Sequence, residues 1–253
     1  MKVCVGNWKM NGSTGLLNEM VEKLNQKRYT RVEVVIAPPF THLKKASETL
    51  DKRYSVCAQS LCGLSEEGSF TGAVGTSLLK DVGVHHVIIG HSERVKHFGE
   101  ETKTFLQATV TALKNGLAVI YCVGESEVDR EEERTMEVIK HTMNALISTL
   151  HKEGVWELRG KLTVAYEPLW AIGSGATPTV AEIEAVQLGI KSTLPWDAPV
   201  LYGGSVTSAN TEELLSVKGL GGFLIGKSSL SDDFFKICDI CNGQETVSQG
   251  PGP

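Results

Sequence analysis

Short apolar runs rich in β-branched residues recur along the chain at Val3–Gly6, Val32–Ala37, Ser55–Ala58, His86–Gly90, Leu117–Val123, Leu162–Tyr166, Val200–Gly203 and Phe223–Gly226. Runs of this length, bounded by turn residues, read as strands buried on both faces. Between them the apolar positions switch to a helical period, as at Leu16, Leu17, Met20, Val21 and Leu24, and again at Met136, Ile139, Met143, Leu146, Ile147 and Leu150. Strands alternating with helices imply a parallel sheet joined by right-handed crossovers. Eight such units in 253 residues are enough to close a (β/α)8 barrel, whereas an open doubly wound sheet usually carries fewer strands. The pattern predicts an α/β fold with a single closed (β/α)8 barrel of parallel strands over residues 1–242. The polar, glycine-containing tail at 243–253 is expected to be disordered.

Composition narrows the function without choosing one. With 41% hydrophobic and 22% charged residues, 26 Gly and 8 Pro, the chain is an ordinary globular sequence. Its 25 basic and 30 acidic residues give a net charge of −5, and the Lys and Arg are dispersed. Neither a nucleic-acid footprint nor a polybasic membrane patch appears. An anionic ligand would therefore need a locally built positive site. The longest apolar runs fall far short of the roughly 20 residues a spanning helix needs, and MKVCVGNWKM carries no apolar leader core. The cysteines at 4, 57, 62, 122, 238 and 241 lack zinc-ligand spacing, so reduced thiols, no metal and a cytoplasmic location are expected. Cys238 and Cys241 fit one face of the last helix as inert thiols. The charge-dense run Glu125–Arg134 is expected to open the long fifth helix as a solvated face.

In parallel barrels the reacting groups project from the C-terminal ends of the strands. After the first strand comes Gly6-Asn7-Trp8-Lys9, where alternation sends Asn7 and Lys9 to the interior and Trp8 toward the helices. A buried cation needs a carboxylate partner or an anionic ligand. After the fourth strand comes Gly90-His91-Ser92-Glu93, where the same alternation places His91 with Glu93, the candidate partner of Lys9. A His at a helix start has its cationic form disfavoured and can donate a hydrogen bond to a carbonyl as neutral imidazole. After the sixth strand, Glu167 is followed by the apolar, glycine-punctuated Pro168–Gly175, the layout of a base beneath a lid. The last two strands end in Gly203-Gly204-Ser205 and Gly226-Lys227-Ser228, glycine loops of the kind that hold phosphate in such barrels.

The motifs GNWKMNG (6–12), IAPPF (36–40), SFTGAV (69–74), IIGHSER (88–94), YCVGE (121–125), AYEPLWAIGSG (165–175), LYGGSV (201–206) and GFLIG (222–226) together resemble the triosephosphate isomerase family over nearly the whole chain. The resemblance implies interconversion of dihydroxyacetone phosphate and D-glyceraldehyde 3-phosphate through an enediolate, in glycolysis and gluconeogenesis, without cofactor or metal. It implies that Glu167 is the base between the carbons and His91 the electrophile at the oxygens. Lys9 would face the substrate's oxygens with Asn7 beside it, positioned by Glu93. Gly173, Ser205, Gly226 and Lys227 would grip the phosphate, and Pro168–Gly175 would be the closing lid. It further implies a homodimer in which the loop around Thr71 inserts beside the partner's active site.

Departures from the family pattern are also legible. Members usually carry a Lys and a further residue between the lid's glycines and the ATP that follows, so the hinge at Ala176-Thr177-Pro178 is shorter here. Lys227 replaces the usual second glycine of the phosphate loop; it is either strained at positive φ or turned to solvent, the second being expected. Val95, Ser60 and Ala73 stand where Arg, Asn and Glu are usual, and the lost carboxylate at 73 is expected to weaken the dimer. The alternative reading is a weakened barrel acting as a phosphate-ligand-binding or moonlighting protein. Another phosphosugar barrel enzyme leaves GHSE and YEPLW unexplained together.

Overall fold

A computed structural model describes residues 1–171 and 177–243. Its strands are β1 (Lys2–Asn7), β2 (Val32–Ala37), β3 (Ser55–Ala58), β4 (His86–Ile89), β5 (Ala118–Val123), β6 (Leu162–Tyr166), β7 (Val200–Tyr202) and β8 (Leu220–Ile225). Each pairs in parallel with its neighbour in sequence, and β8 returns to β1, closing the barrel. The helices outside it are α1 (Thr14–Gln26), α2 (Phe40–Thr49), α3 (Thr76–Asp81), α4 (Ser92–Phe98), α5 (Thr102–Lys114), α6 (Glu127–Glu131), α7 (Thr135–Lys152), α8 (Val180–Thr193), α9 (Ser208–Leu215) and α10 (Asp233–Cys241).

The period-two alternation of the strands builds two separate cores. Val3, Val5, Val35, Cys57, Ile88, Ile120, Cys122, Ala165, Leu201 and Leu224 fill the barrel interior. Cys4, Val34, Val87, Tyr121, Val164 and Phe223, on the opposite parity, pack against helix stripes such as Leu17, Met20, Val21 and Leu24 of α1. Ser13 starts that helix by accepting the Leu16 amide on its side chain, so the first turn's orphan donor is satisfied. Trp8 is fully buried in this outer layer. That places it toward the helices, as alternation requires.

Two expectations needed correction. Strand β8 begins at Leu220, not Phe223, because Gly221 and Gly222 interrupt the apolar run. Those glycines are strand residues for a steric reason: a Cβ on Gly222 would lie 1.9 Å from the Val3 carbonyl oxygen where β8 closes on β1. The charged run does not open the long helix. It forms the separate α6, started by a Ser126–Asp129 capping box, and Glu133 at φ 57 breaks the chain before α7.

The residues 244–253 expected to form a disordered tail lie outside the described residues, as do 172–176 of the lid, Gly173 among them. Among the described residues no helix is long and apolar enough to cross a membrane.

Candidate active site

Asn7 ends β1 on the interior parity and is buried. Lys9 reaches the same cavity by a different route from strand alternation: its backbone takes the left-handed region at φ 54, an unfavourable conformation for a residue with a long side chain. Three contacts hold it there. The Asn7 Oδ1 accepts the Lys9 amide at 3.1 Å, the Gln59 Nε2 donates to the Lys9 carbonyl at 2.9 Å, and the Lys9 ammonium pairs with the Glu93 Oε1 at 2.6 Å. Gln59 also donates to the Ala37 carbonyl at 2.8 Å, tying the strained residue to β2. Nothing in its position at the end of the third apolar run singled Gln59 out.

His91 and Glu93 likewise converge through a helix start, not through strand alternation. Strand β4 stops at Ile89, Gly90 turns the chain at φ 80, and His91 becomes the N-cap of α4 with Glu93 in the first turn. The Glu93 amide donates to the His91 Nδ1 at 3.2 Å. A ring nitrogen that accepts an amide proton carries none itself, so this network assigns the remaining proton to Nε2. The Nε2 lies 3.0 Å from the Glu167 Oε1.

Glu167 extends the sheet by one residue, donating its amide to the Val123 carbonyl at 2.8 Å. Its carboxylate is buried; Oε1 faces His91 and Oε2 accepts the Ser92 amide at 3.1 Å. Gly203 makes room for it, since a Cβ there would stand 3.1 Å from the Glu167 Cγ. Beneath lies the Cys122 thiol, whose pKa is pushed up by burial and then by the Glu167 charge. Cys122 thus stays a protonated, inert floor for the carboxylate.

These groups open onto a cavity of about 210 Å³ whose far end is formed by Gly204, Ser205, Gly226, Lys227 and Ser228. Gly226 runs close to Lys9: a Cβ there would lie 3.5 Å from the Lys9 Cε. Lys227 is exposed and does not take a positive φ, which removes the strained alternative. Among the described residues no carboxylate lies within salt-bridge distance of it.

Glu125 is the largest correction. Expected on a solvated helix face, it is 2% exposed, with Oε1 accepting the Trp170 Nε1 proton at 2.8 Å and the Tyr166 hydroxyl at 3.0 Å. Burial pushes its carboxyl up from the usual range, and the bonds from Trp170 and Tyr166 oppose that rise. The Arg130 guanidinium lies 3.5 Å over the Trp170 ring and pairs with Glu182 at 2.6 Å. Glu182 in turn completes the capping box of Thr179. Arg130 thus links Trp170, after β6, to the start of α8. The signal available in sequence was Glu125 ending the fifth apolar run, an acid at a barrel strand end.

On the neighbouring flank, Phe70, Thr71, Gly72 and Ala73 are exposed at the tip of the loop after β3, and Val95 and Phe98 are exposed on α4. This loop and α4 share a depression lined by Leu64, Ala73, Val74 and Arg94. Ser60 is half-buried at its base.

A family model described as triosephosphate isomerase matches residues 2–241. The chain is 36% identical over 247 residues to the protein named "Triosephosphate isomerase, glycosomal" of Trypanosoma cruzi, covering 94% of this chain and 96% of that one. It is 37% identical over 242 residues to a protein named triosephosphate isomerase from Coprinopsis cinerea, covering 92% and 94% of the two chains. A third, of the same name from Mesomycoplasma hyopneumoniae, is 37% identical over 244 residues, covering 93% and 98%.

Proposed function

The chain belongs to the triosephosphate isomerase family, and from that premise we propose how its pocket interconverts dihydroxyacetone phosphate and D-glyceraldehyde 3-phosphate. Glu167 removes the proton from the carbon beside the carbonyl. The His91 Nε2 proton and the Lys9 ammonium face the oxygen on which charge develops, so the enediolate is stabilised as it forms. Glu93 positions Lys9, and Asn7 holds the backbone turn that presents it. Ser205, Gly226 and Lys227, with Gly173 of the lid, take the phosphate.

The observation that carries this reading is the contact between His91 Nε2 and Glu167 Oε1 at 3.0 Å, with the Lys9–Glu93 pair opening onto the same cavity. A carbonyl cannot lie between two atoms only 3.0 Å apart. Substrate binding therefore has to draw the Glu167 carboxylate off His91 and the Ser92 amide and toward the carbon. Closure of the lid over Ala171, which lines the cavity, would strip water from the freed carboxylate. The phosphate contacts supply binding energy remote from the reacting carbons that holds the lid closed.

The chain acts as one barrel domain over residues 1–242 in the cytoplasm, and as a homodimer in which the loop around Thr71 meets a second copy. Exposed Phe70, Val95 and Phe98 support that surface. A barrel that binds phosphate ligands without turnover is not favoured, because the acid–base groups are all assembled. The test is a coupled assay of glyceraldehyde 3-phosphate isomerisation across a protein dilution series, with the mass followed by sedimentation. High turnover that falls on dilution supports enzyme and dimer together. Negligible turnover with retained phosphate binding overturns the enzyme, and a mass near 27.4 kDa at micromolar protein overturns the dimer.

A further inference from the structure

Charge around the cavity is unevenly balanced. Lys9 is paired with Glu93 at 2.6 Å, and the Glu167 carboxylate faces the His91 Nε2 at 3.0 Å and the Ser92 amide at 3.1 Å. The phosphate end offers glycine backbone and hydroxyls, of which the Ser228 hydroxyl is already committed to the Val206 carbonyl at 2.8 Å. Lys227 lines this end, is exposed, and has no carboxylate within salt-bridge distance among the described residues. Without Lys227 a dianion would enter a cavity whose other lysine, Lys9, is already paired with Glu93 and whose wall includes the Glu167 carboxylate. A lysine side chain on a backbone free of positive φ can place its ammonium on a phosphate without backbone strain.

We infer that Lys227 is the charge-reading group of this pocket: its ammonium pairs with the phosphate dianion and sets how strongly the site takes up small phosphate monoesters and inorganic phosphate. The inference rests on the pocket being the triose phosphate site. It also makes inorganic phosphate a competitor whose strength depends on salt, since a partly exposed ion pair is screened within a Debye length.

Titration calorimetry with inorganic phosphate at pH 8 separates this from the isomerase reading, because it needs no turnover. The variants are Lys227→Met, which keeps the length without the charge, and Lys227→Arg, which keeps the charge. Lys227→Met is expected to weaken phosphate binding about tenfold at low salt, to lose most of that difference at high salt, and to be rescued by Lys227→Arg. In the coupled assay the same loss should fall on KM more than on kcat. Phosphate binding by Lys227→Met equal to or tighter than that of the parent chain at low salt overturns the inference, as does a loss that Lys227→Arg shares. Absent turnover with the expected binding pattern would overturn the isomerase reading and leave the role of Lys227 standing.

Discussion

The two ends of the cavity are built by opposite means. At the end proposed to carry the reaction, Asn7, Lys9, His91, Glu93 and Glu167 contact one another and backbone amides, with Lys9 held at φ 54 by the contacts around it. At the end proposed to take the phosphate, Gly203, Gly204 and Gly226 line the cavity, and among the described residues Lys227 has no carboxylate within salt-bridge distance. The difference follows from what each end must do. Stabilising the developing oxyanion needs donors held in place before the substrate arrives, with Glu167 alone released on binding, whereas gripping a dianion needs access and charge.

Breaking the reacting end should cost most. Glu167→Gln is expected to lower kcat by roughly a hundredfold to ten-thousandfold, the range for losing a general base, while phosphate affinity changes little. Comparable loss of both in a calorimetric and kinetic comparison would show that the two ends are not independent. His91→Gln should cost roughly a hundredfold or more in kcat by removing the Nε2 donor at the developing oxyanion; a change confined to KM would place His91 in binding instead. Gly203 belongs to both ends, so it sharpens the comparison. Gly203→Ala sets a methyl 3.1 Å from the Glu167 Cγ, and a misplaced base should lower kcat by about tenfold or more, measurable in the same assay with phosphate binding as the control.

The smallest effect concerns Glu125, outside the cavity. Its carboxyl is raised by burial, so the folded state binds a proton more tightly than the unfolded state does. Stability from this group is then fully present below the ordinary carboxylate range, near 4.5, and declines as pH rises toward the folded value. Glu125→Gln keeps an acceptor for Trp170 and Tyr166 and removes that decline. Its melting temperature relative to the parent chain should climb between pH 4 and 7. A difference that stays constant across a set of thermal melts would show that burial does not control this carboxyl.

Sequence reading reached the barrel because inner and outer residues differ by a strict period of two, and each strand is bounded by turn residues. It placed β2, β3 and β6 at their observed ends and mislaid the start of β8, where glycines required for closure against Val3 look like loop. The reacting residues were legible as polar groups at strand ends, but the route was not. Lys9 and His91 arrive through a left-handed residue and a helix cap, features of backbone dihedrals that alternation does not encode. Glu125 was misread because local charge density says nothing of a Trp170 indole and a Tyr166 hydroxyl brought from another strand.

Glu167 is the group proposed to move the proton between carbons. Incorporation of solvent deuterium into the triose phosphate pool measures that step directly, compared between the parent chain and Glu167→Gln at equal occupancy by substrate. Rapid carbon-bound deuterium in the parent chain and its loss in the variant is the predicted result. Exchange that persists undiminished in Glu167→Gln would contradict the account and assign the base to another group.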